Sequence, residues 1–295
     1  MAPVILRTFA VILCLVAGSA AQAIGLLRDA GMERALRELA RPVLDAAGLS
    51  AGQMRILVVN IDSLNAFVID DTTIYIHAGL LLRLESAAQL QALVAHEAAH
   101  IANGHIARRT ANARAASRRA ALGMLLAGAA AAGGAPGAAV AGLALGSTGT
   151  AQRLFFSHTR AEEASADQSA VRYLIRAGVD PMGKLELLDI FRGQAALSAR
   201  RQDPYNRTHP LTNDRYRAVQ ALVGAGGSRG ANAAQDYWFF RAQGILSAFK
   251  RAPRWTLRRA KSNSDVDMMR RAVAYHKQAD AGRATAEMAK LVAAR

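Results

Sequence analysis

The sequence predicts a mostly helical α+β protein with a small β-sheet and a helical hairpin at its C-terminus. Apolar residues recur at helical spacing along most of the chain, which favours helices. Two short β-rich runs, at 54–60 and 65–77, lie close together and predict a small sheet. A hydrophobic content of 52% with 20% charged residues is typical of a globular protein with a sizeable core and excludes a disordered chain.

The N-terminus, residues 1–23, has the layout of a secretory signal peptide. Arg7 precedes the apolar run 9–17, and the small-x-small site 21–23 follows it. The run is too short to span a bilayer comfortably, although an uncleaved membrane anchor is the alternative. Cys14, the single cysteine, lies inside the run, so the mature chain would have no disulfide. The sequence therefore predicts an exported protein.

The region 24–223 is predicted to form one domain, followed by a Gly-rich linker at 224–235 and a helical region at 236–295. Within the first domain, the elements are placed by apolar periodicity, β-rich runs and the positions of glycine and proline. In chain order they are a helix at 26–47, a strand at 54–60, a hairpin of 65–69 and 72–77 around Asp70-Asp71, a helical stretch at 78–119, and helices at 159–177, 184–199 and 213–223. The C-terminal region should contain about three helices, the last two paired as a hairpin that could be one degenerate tetratricopeptide repeat.

The segment 120–149 differs from the rest because it contains no charged residue and consists mainly of Ala, Gly, Leu and Val. Pro136 and neighbouring glycines divide it into two halves, each too short to span a membrane. We predict a hairpin of two short helices within the domain. Several arginines precede the segment, so residues 108–149 could contact an anionic membrane surface. The alternative is a hairpin buried in the protein.

The net charge of +15 gives no evidence for a nucleic-acid partner, because the chain carries no recognisable nucleic-acid-binding motif. For an exported protein the anionic partners would be lipid head groups, lipopolysaccharide or acidic polymers. A solvated basic surface that only aids solubility is the alternative.

The run HEAAH at 96–100 predicts a metal site. On a helix, His96 and His100 lie one turn apart on the same face and can bind one ion, while Glu97 is close enough to hold a water. This HExxH spacing is the arrangement of zinc hydrolases. The neighbouring residues are apolar or small, which indicates a buried helix, where two histidines and a glutamate without a metal would be costly. The alternative is a hydrogen-bonded pair on a helix surface.

Two residues are candidates for the third ligand. His105 is one position early for the pattern HExxHxxGxxH and would point away from His96, so we interpret it as structural. Glu163 lies at helical offsets from Asp167 and from the apolar positions of the helix at 159–177, so it should face inward. A buried carboxylate needs a cation, either a zinc ion or an arginine partner. Asp167 is placed to accept a hydrogen bond from a ligand histidine.

The neighbouring Glu162 has a different predicted role. Thr159 followed by Glu162 three positions later is a capping box at the start of the helix. Glu162 should therefore stabilise the helix terminus and take no part in metal binding.

Three motifs in the same order resemble the HtpX/BepA group of zinc endopeptidases, to which CAAX prenyl proteases are more distantly related. They are HEAAHIANGH from 96, the E-x-x-A-D of 163–167, and THPLTNDR from 208. The resemblance covers most of residues 25–223 and implies a zincin-like core. It also implies one Zn²⁺ per chain held by His96, His100 and Glu163, with Glu97 as the catalytic base.

The resemblance further implies that His209 lies near the metal, either as an additional ligand in a closed state or as a stabiliser of the reacting oxyanion. The hairpin at 65–81 resembles the one that lies beside the cleft in this group. The segment 120–149 is too short for the two spans of the membrane-embedded members, so the chain resembles the exported, BepA-like branch.

By this resemblance, the expected function is zinc-dependent hydrolysis of peptide bonds in the periplasm, with damaged or misassembled envelope proteins as substrates. Two other classes remain open: a zinc-stabilised chaperone or scaffold that does not cleave, and a peripheral membrane adaptor. The intact Glu97 argues against a pure scaffold, which needs no base at that position.

Overall fold

The computed structural model describes residues 25–134, 136, 160–192, 197, 201–230 and 232–293. The predicted signal peptide, most of the second half of the 120–149 segment, and Thr159 of the predicted capping box lie outside the described residues. The described chain is mostly helical with one small sheet, which confirms the predicted α+β class.

The sheet has four strands in the order β1-β2-β4-β3. They are β1 (Leu26–Leu27), β2 (Arg55–Val59), β3 (Ala66–Val68) and β4 (Thr73–His77). The predicted hairpin is confirmed, since β3 pairs antiparallel with β4. β1 pairs antiparallel with β2, and β2 pairs parallel with β4. Only the hairpin pairing was expected from the sequence.

The first helices are α1 (Ala30–Ala46), α2 (Ala78–Arg83), α3 (Ala87–Ala102) and α4 (His105–Ala132). The prediction of a helix from residue 26 was wrong at its start, because Leu26 and Leu27 pair with β2. The helix begins one residue after Asp29, whose side chain accepts a hydrogen bond from the N–H of Met32 at 2.8 Å.

The predicted continuous helical stretch at 78–119 is in fact three helices. Ser86 caps α3 by accepting from the N–H of Gln89 at 3.2 Å. Gly104, with φ of +70°, separates α3 from α4 in a left-handed conformation that glycine adopts without strain. α4 runs for 28 residues to Ala132, so the described first half of the 120–149 segment ends a long helix and is not a separate short one.

The helices that follow are α5 (Arg160–Arg176), α6 (Met182–Ile190), α7 (Pro204–Thr208) and α8 (Asn213–Gly226). α6 ends at Ile190, well before the predicted end at 199, and Phe191 in the turn is buried and stacks on Tyr205. The apolar pattern of 184–191 therefore reflects burial of this short helix and its turn.

The C-terminal region contains α9 (Ala233–Lys250), α10 (Pro253–Arg259), α11 (Asp265–His276) and α12 (Ala281–Ala293). The last two helices pack as the predicted hairpin, with Ala274 fully buried and Arg271 bonded to Glu287 at 2.7 Å. α8 ends at Gly226 and α9 begins at Ala233, so fewer residues separate the two helices than the predicted linker at 224–235 contains. The domain boundaries themselves stay predictions.

The largest hydrophobic core lies between α1, the sheet, α3 and α9. It includes Leu36 of α1, Ile76 of β4, Leu93 of α3 and Ile245 of α9, each at most 1% exposed. α3 is therefore the central helix, and α5 and α6 pack directly against it. Among the described residues, we find no helix that is both long enough and apolar enough to cross a membrane.

Candidate metal centre

The central helix α3 carries the HExxH residues into the interior. His96, Glu97 and His100 are each 0% exposed. The Nε2 atoms of His96 and His100 lie 3.2 Å apart, as expected for two rings one turn apart on one helix face. Two converging ring nitrogens at this distance need a proton or a metal ion between them.

Glu163 of α5 faces the same point. Its Oε2 lies 3.4 Å from Nε2 of His96, and its Oε1 lies 3.3 Å from Nε2 of His100. Glu163 is 1% exposed, so its predicted inward orientation is confirmed. Glu162, the matched neighbour, instead lies at the periphery, 3.7 Å from Nε of the exposed Arg108.

His209 follows the short helix α7 and reaches into the same cluster. Its Nδ1 lies 2.9 Å from Oε1 of Glu163 and 3.4 Å from Nε2 of His96. The ring stacks on Tyr205, with the centroids 4.6 Å apart. His96, His100, Glu163 and His209 thus form one buried group whose potential ligand atoms all lie within 4.8 Å of one another.

Each motif histidine also has a partner on its other ring nitrogen. Nδ1 of His96 lies 3.0 Å from Oδ1 of Asp167, the carboxylate expected to accept from a ligand histidine. Nδ1 of His100 lies 2.9 Å from Nδ1 of His105. If each Nδ1–H is donated to these partners, both rings present Nε2 to the centre. His105 is outside the four-residue group and packs behind His100, which agrees with its interpretation as structural.

Two buried cations at the site were missed by sequence reasoning. Lys184 of α6 is 0% exposed, and its Nζ lies 2.9 Å from Oδ1 of Asp167. Arg215 of α8 donates from Nε to Oδ2 of Asp167 at 2.8 Å, and its Nη1 lies 3.0 Å from Oε2 of Glu163. The arginine partner, which was the predicted alternative to zinc for Glu163, is therefore present. It contacts Glu163 in addition to the histidines and does not replace them.

Both cations left a signal in the sequence. Lys184 interrupts the otherwise apolar face of 182–191, and Arg215 ends the motif THPLTNDR. Neither signal shows which carboxylate the cation meets, because the partner lies on another helix.

Glu163 and Asp167 of α5 are held ionised by these neighbours. Burial alone would raise the pKa of Asp167, but Lys184, the hydrogen bond from His96 and Arg215 hold it well below its usual value. Burial likewise opposes ionisation of Glu163, and the electrostatic interaction with His209, together with the hydrogen bonds from the histidines, lowers the pKa of Glu163 well below the ordinary range. The site therefore offers carboxylates in the ionised form that a metal ion requires.

The residues present fit a zinc ion. Imidazole nitrogens and one carboxylate are the donor set of catalytic zinc sites. Both carboxylate oxygens of Glu97 are buried without a hydrogen-bond partner among the described residues; Nε2 of His209 is 3.8 Å from Oε1. A buried carboxylate without a partner is costly unless a water or substrate group meets it, which suits a catalytic base.

The chain is similar to known proteases. It is 24% identical over 190 residues to the beta-barrel assembly-enhancing proteases of Escherichia coli (strain K12) and Shigella flexneri, a match that covers 64% of this chain and 38% of either relative. The corresponding protease of Yersinia pestis is 24% identical over 182 residues, covering 62% of this chain and 37% of the relative. The chain thus spans well under half the length of these curated relatives.

A family description, Peptidase family M48, matches residues 27–223, which is more than half of the chain and includes every residue of the candidate site. Members of this family are zinc metallopeptidases. With a buried HExxH helix and an inward-facing glutamate from α5 in place, the chain belongs to peptidase family M48.

Proposed function

We propose that this protein is a zinc-dependent endopeptidase exported to the periplasm, where it cleaves misfolded or misassembled envelope proteins. The observation that carries the proposal is the buried cluster of His96, His100, Glu163 and His209 beside the carboxylate of Glu97, which has no hydrogen-bond partner among the described residues. Membership of family M48 supports a metallopeptidase.

The proposed ligands of one zinc ion are His96, His100 and Glu163, with Asp167 orienting His96 through its Nδ1–H. When bound, zinc supplies Lewis-acid catalysis and makes water acidic enough to be deprotonated near neutral pH. Glu97 takes the proton of the attacking water on its carboxylate and passes it to the nitrogen of the leaving amine. Its buried position keeps this carboxylate close to the cluster and away from competing hydrogen bonds.

We propose that His209 acts as a latch, that is, as a fourth protein ligand that closes the metal site. His209 belongs to the group of potential ligands, and its side chain is 1% exposed. Arg215 holds the loop from the inside, since Nη1 donates to the carbonyl of Pro210 at 2.7 Å. A fourth ligand from the protein would occupy the position that a water or substrate needs. Moving the 209–210 loop away would open the centre, and His209 could then donate to the oxyanion.

The compartment and substrate class rest on the predicted signal peptide at 1–23 and on the relatives. The named relatives are beta-barrel assembly-enhancing proteases, and we propose related envelope proteins as substrates here. A contact between 108–149 and an anionic membrane remains a prediction. On the described part of this segment, Arg108, Arg114 and Arg118 are exposed on α4.

Glu97→Gln provides the direct test. The purified mature protein should contain about one zinc ion per chain and cleave an unfolded casein-type substrate, and Glu97→Gln should abolish cleavage while retaining zinc, because Glu97 holds water and not metal. Loss of zinc together with activity would show that the role of Glu97 is misassigned.

The non-cleaving alternative is a zinc-stabilised chaperone or scaffold. It predicts that the wild-type protein and Glu97→Gln both bind zinc and that neither cleaves the casein-type substrate. Both should suppress aggregation of an unfolded substrate equally. Cleavage by the wild-type protein alone would exclude it.

A further inference from the structure

We infer that the Lys184 ammonium balances the negative charge of the buried carboxylates at the metal centre. It stabilises the site when no metal is bound, and it lowers the affinity of the site for zinc. The inference rests on the proposed zinc site but not on the proposed cleavage. It concerns a residue that neither the HExxH motif nor the E-x-x-A-D motif contains.

The packing of α6 on α3 places this lysine in the interior. At Gly183, an added Cβ would lie 2.5 Å from the backbone carbonyl of Ala88 on α3, so only glycine permits this approach. The next residue, Lys184, is 0% exposed. A buried lysine is costly unless its charge is paired, so this position indicates a specific electrostatic role.

The contacts of the ammonium explain why it acts on metal binding. Nζ lies 2.9 Å from Oδ1 of Asp167 and 3.1 Å from Nδ1 of His96. Nδ1 of His96 lies 3.0 Å from the same Oδ1 atom. If His96 binds zinc through Nε2, its Nδ1 carries hydrogen and cannot accept from Lys184. The ammonium and the imidazole then share one carboxylate oxygen, and the positive charge faces the ring that would hold the metal.

Arg215 makes Lys184 dispensable for positioning Asp167. Its Nε and Nη2 each lie 2.8 Å from Oδ2 of Asp167, a two-nitrogen contact that holds the carboxylate from its other oxygen. Removing the Lys184 charge should therefore alter the electrostatic field at His96 more than the geometry of Asp167.

The charge balance gives the direction of the effect. Three carboxylates, those of Glu97, Glu163 and Asp167, lie in or beside the cluster. Lys184 contacts Asp167, and Arg215 contacts Glu163 and Asp167. Without zinc, loss of Lys184 leaves more uncompensated negative charge in the interior and destabilises the fold. With zinc, the same loss removes a repulsion between cations. Both effects favour the metal-bound form.

The test measures zinc binding and stability in the Glu97→Gln background, so that cleavage does not enter the readout. Lys184→Met keeps a long unbranched side chain, one heavy atom shorter than lysine, and removes the charge. We expect zinc to bind this variant about tenfold more tightly or better, a change of the size that outer-shell substitutions produce. The metal-free variant should melt at a lower temperature than its parent, and the increase in Tm on adding zinc should be larger. Zinc affinity is measured by competition with a chromophoric chelator.

Two further variants serve as controls. Lys184→Arg retains the charge and should keep the zinc affinity of the parent. Gln91→Met removes a fully buried polar side chain elsewhere, on α3. The amide nitrogen of Gln91 donates to the carbonyl of Leu39 at 2.9 Å. It should lower the stability of the metal-free and zinc-bound forms alike and leave zinc affinity unchanged.

Unchanged or weaker zinc binding by Lys184→Met would overturn the inference. If metal-free Lys184→Met does not fold, Lys184→Gln is measured in its place, and it too must bind zinc more tightly than the parent. A parent protein that binds no zinc refutes the proposed function itself. A parent that binds zinc, with the lysine variants unaltered, refutes only the role of Lys184.

Discussion

The adjacent glutamates of α5 offer a matched test of the metal centre, since Glu163 points into the cluster and Glu162 lies at its edge. The perturbation is Glu163→Gln, which keeps the side-chain shape and removes the charge. The potential ligand atoms lie within 4.8 Å of one another, so a cation among them is close to the Glu163 carboxylate. Even two unit charges about 4 Å apart attract by about 4 kcal/mol at an effective dielectric of 20. Because 1.4 kcal/mol corresponds to about tenfold, zinc affinity should fall by about three orders of magnitude.

The control variant is Glu162→Gln. This side chain is 15% exposed and lies 3.7 Å from Arg108, whose own side chain is 58% exposed. Pairs of this kind contribute about 0.2–1 kcal/mol to stability, so the variant should lose little stability and no zinc. The assay is zinc content after gel filtration together with chelator competition. Equal zinc loss in both variants, or a loss of less than about tenfold in Glu163→Gln, would refute the assignment of Glu163 as a ligand.

Three further predictions concern the surroundings of the cluster. His209→Ala should raise basal proteolysis if His209 is a latch, whereas it should lower kcat by about two to three orders of magnitude if His209 stabilises the oxyanion; wild-type kinetics would exclude both roles. His105→Phe removes the partner of Nδ1 of His100 and should weaken zinc binding about 10- to 100-fold, and unchanged affinity would leave His105 a packing residue only. Val68→Pro removes a main-chain N–H that points to the free edge of β3, because hydrogen bonds to β4 alternate along the strand. If a substrate adds a strand at this edge, KM should rise. An unchanged KM in the folded variant contradicts this docking mode.

Much of the candidate site could be predicted because its geometry is local. The relative positions of His96, Glu97 and His100 follow from helical periodicity once the segment is a helix. The inward orientation of Glu163 follows from the same periodicity applied to α5, and the structure confirms it. The hairpin of β3 and β4 was likewise predictable, since its two strands are separated by a short turn.

Predictions that depended on where an element begins or ends were less accurate. The helix expected from residue 26 begins at residue 30, and the helix expected to reach 199 ends at Ile190. In both places the residues have apolar character that suits a helix, but other parts of the chain provide partners. Leu26 and Leu27 pair with β2, and Phe191 stacks on Tyr205. Local propensity is a weak preference that tertiary contacts can override.

The sequence by itself determined which helix carries the HExxH residues, which glutamate of the next motif faces inward, and that these side chains could share a metal ion. Only the tertiary structure decided which charges surround them. Lys184 and Arg215 meet Asp167 across α5, α6 and α8, at sequence separations of 17 for the lysine contact and 48 for the arginine hydrogen bond. Helical periodicity specifies a direction around one axis but no distance to another helix, and the strength of an electrostatic interaction depends on that distance and on burial.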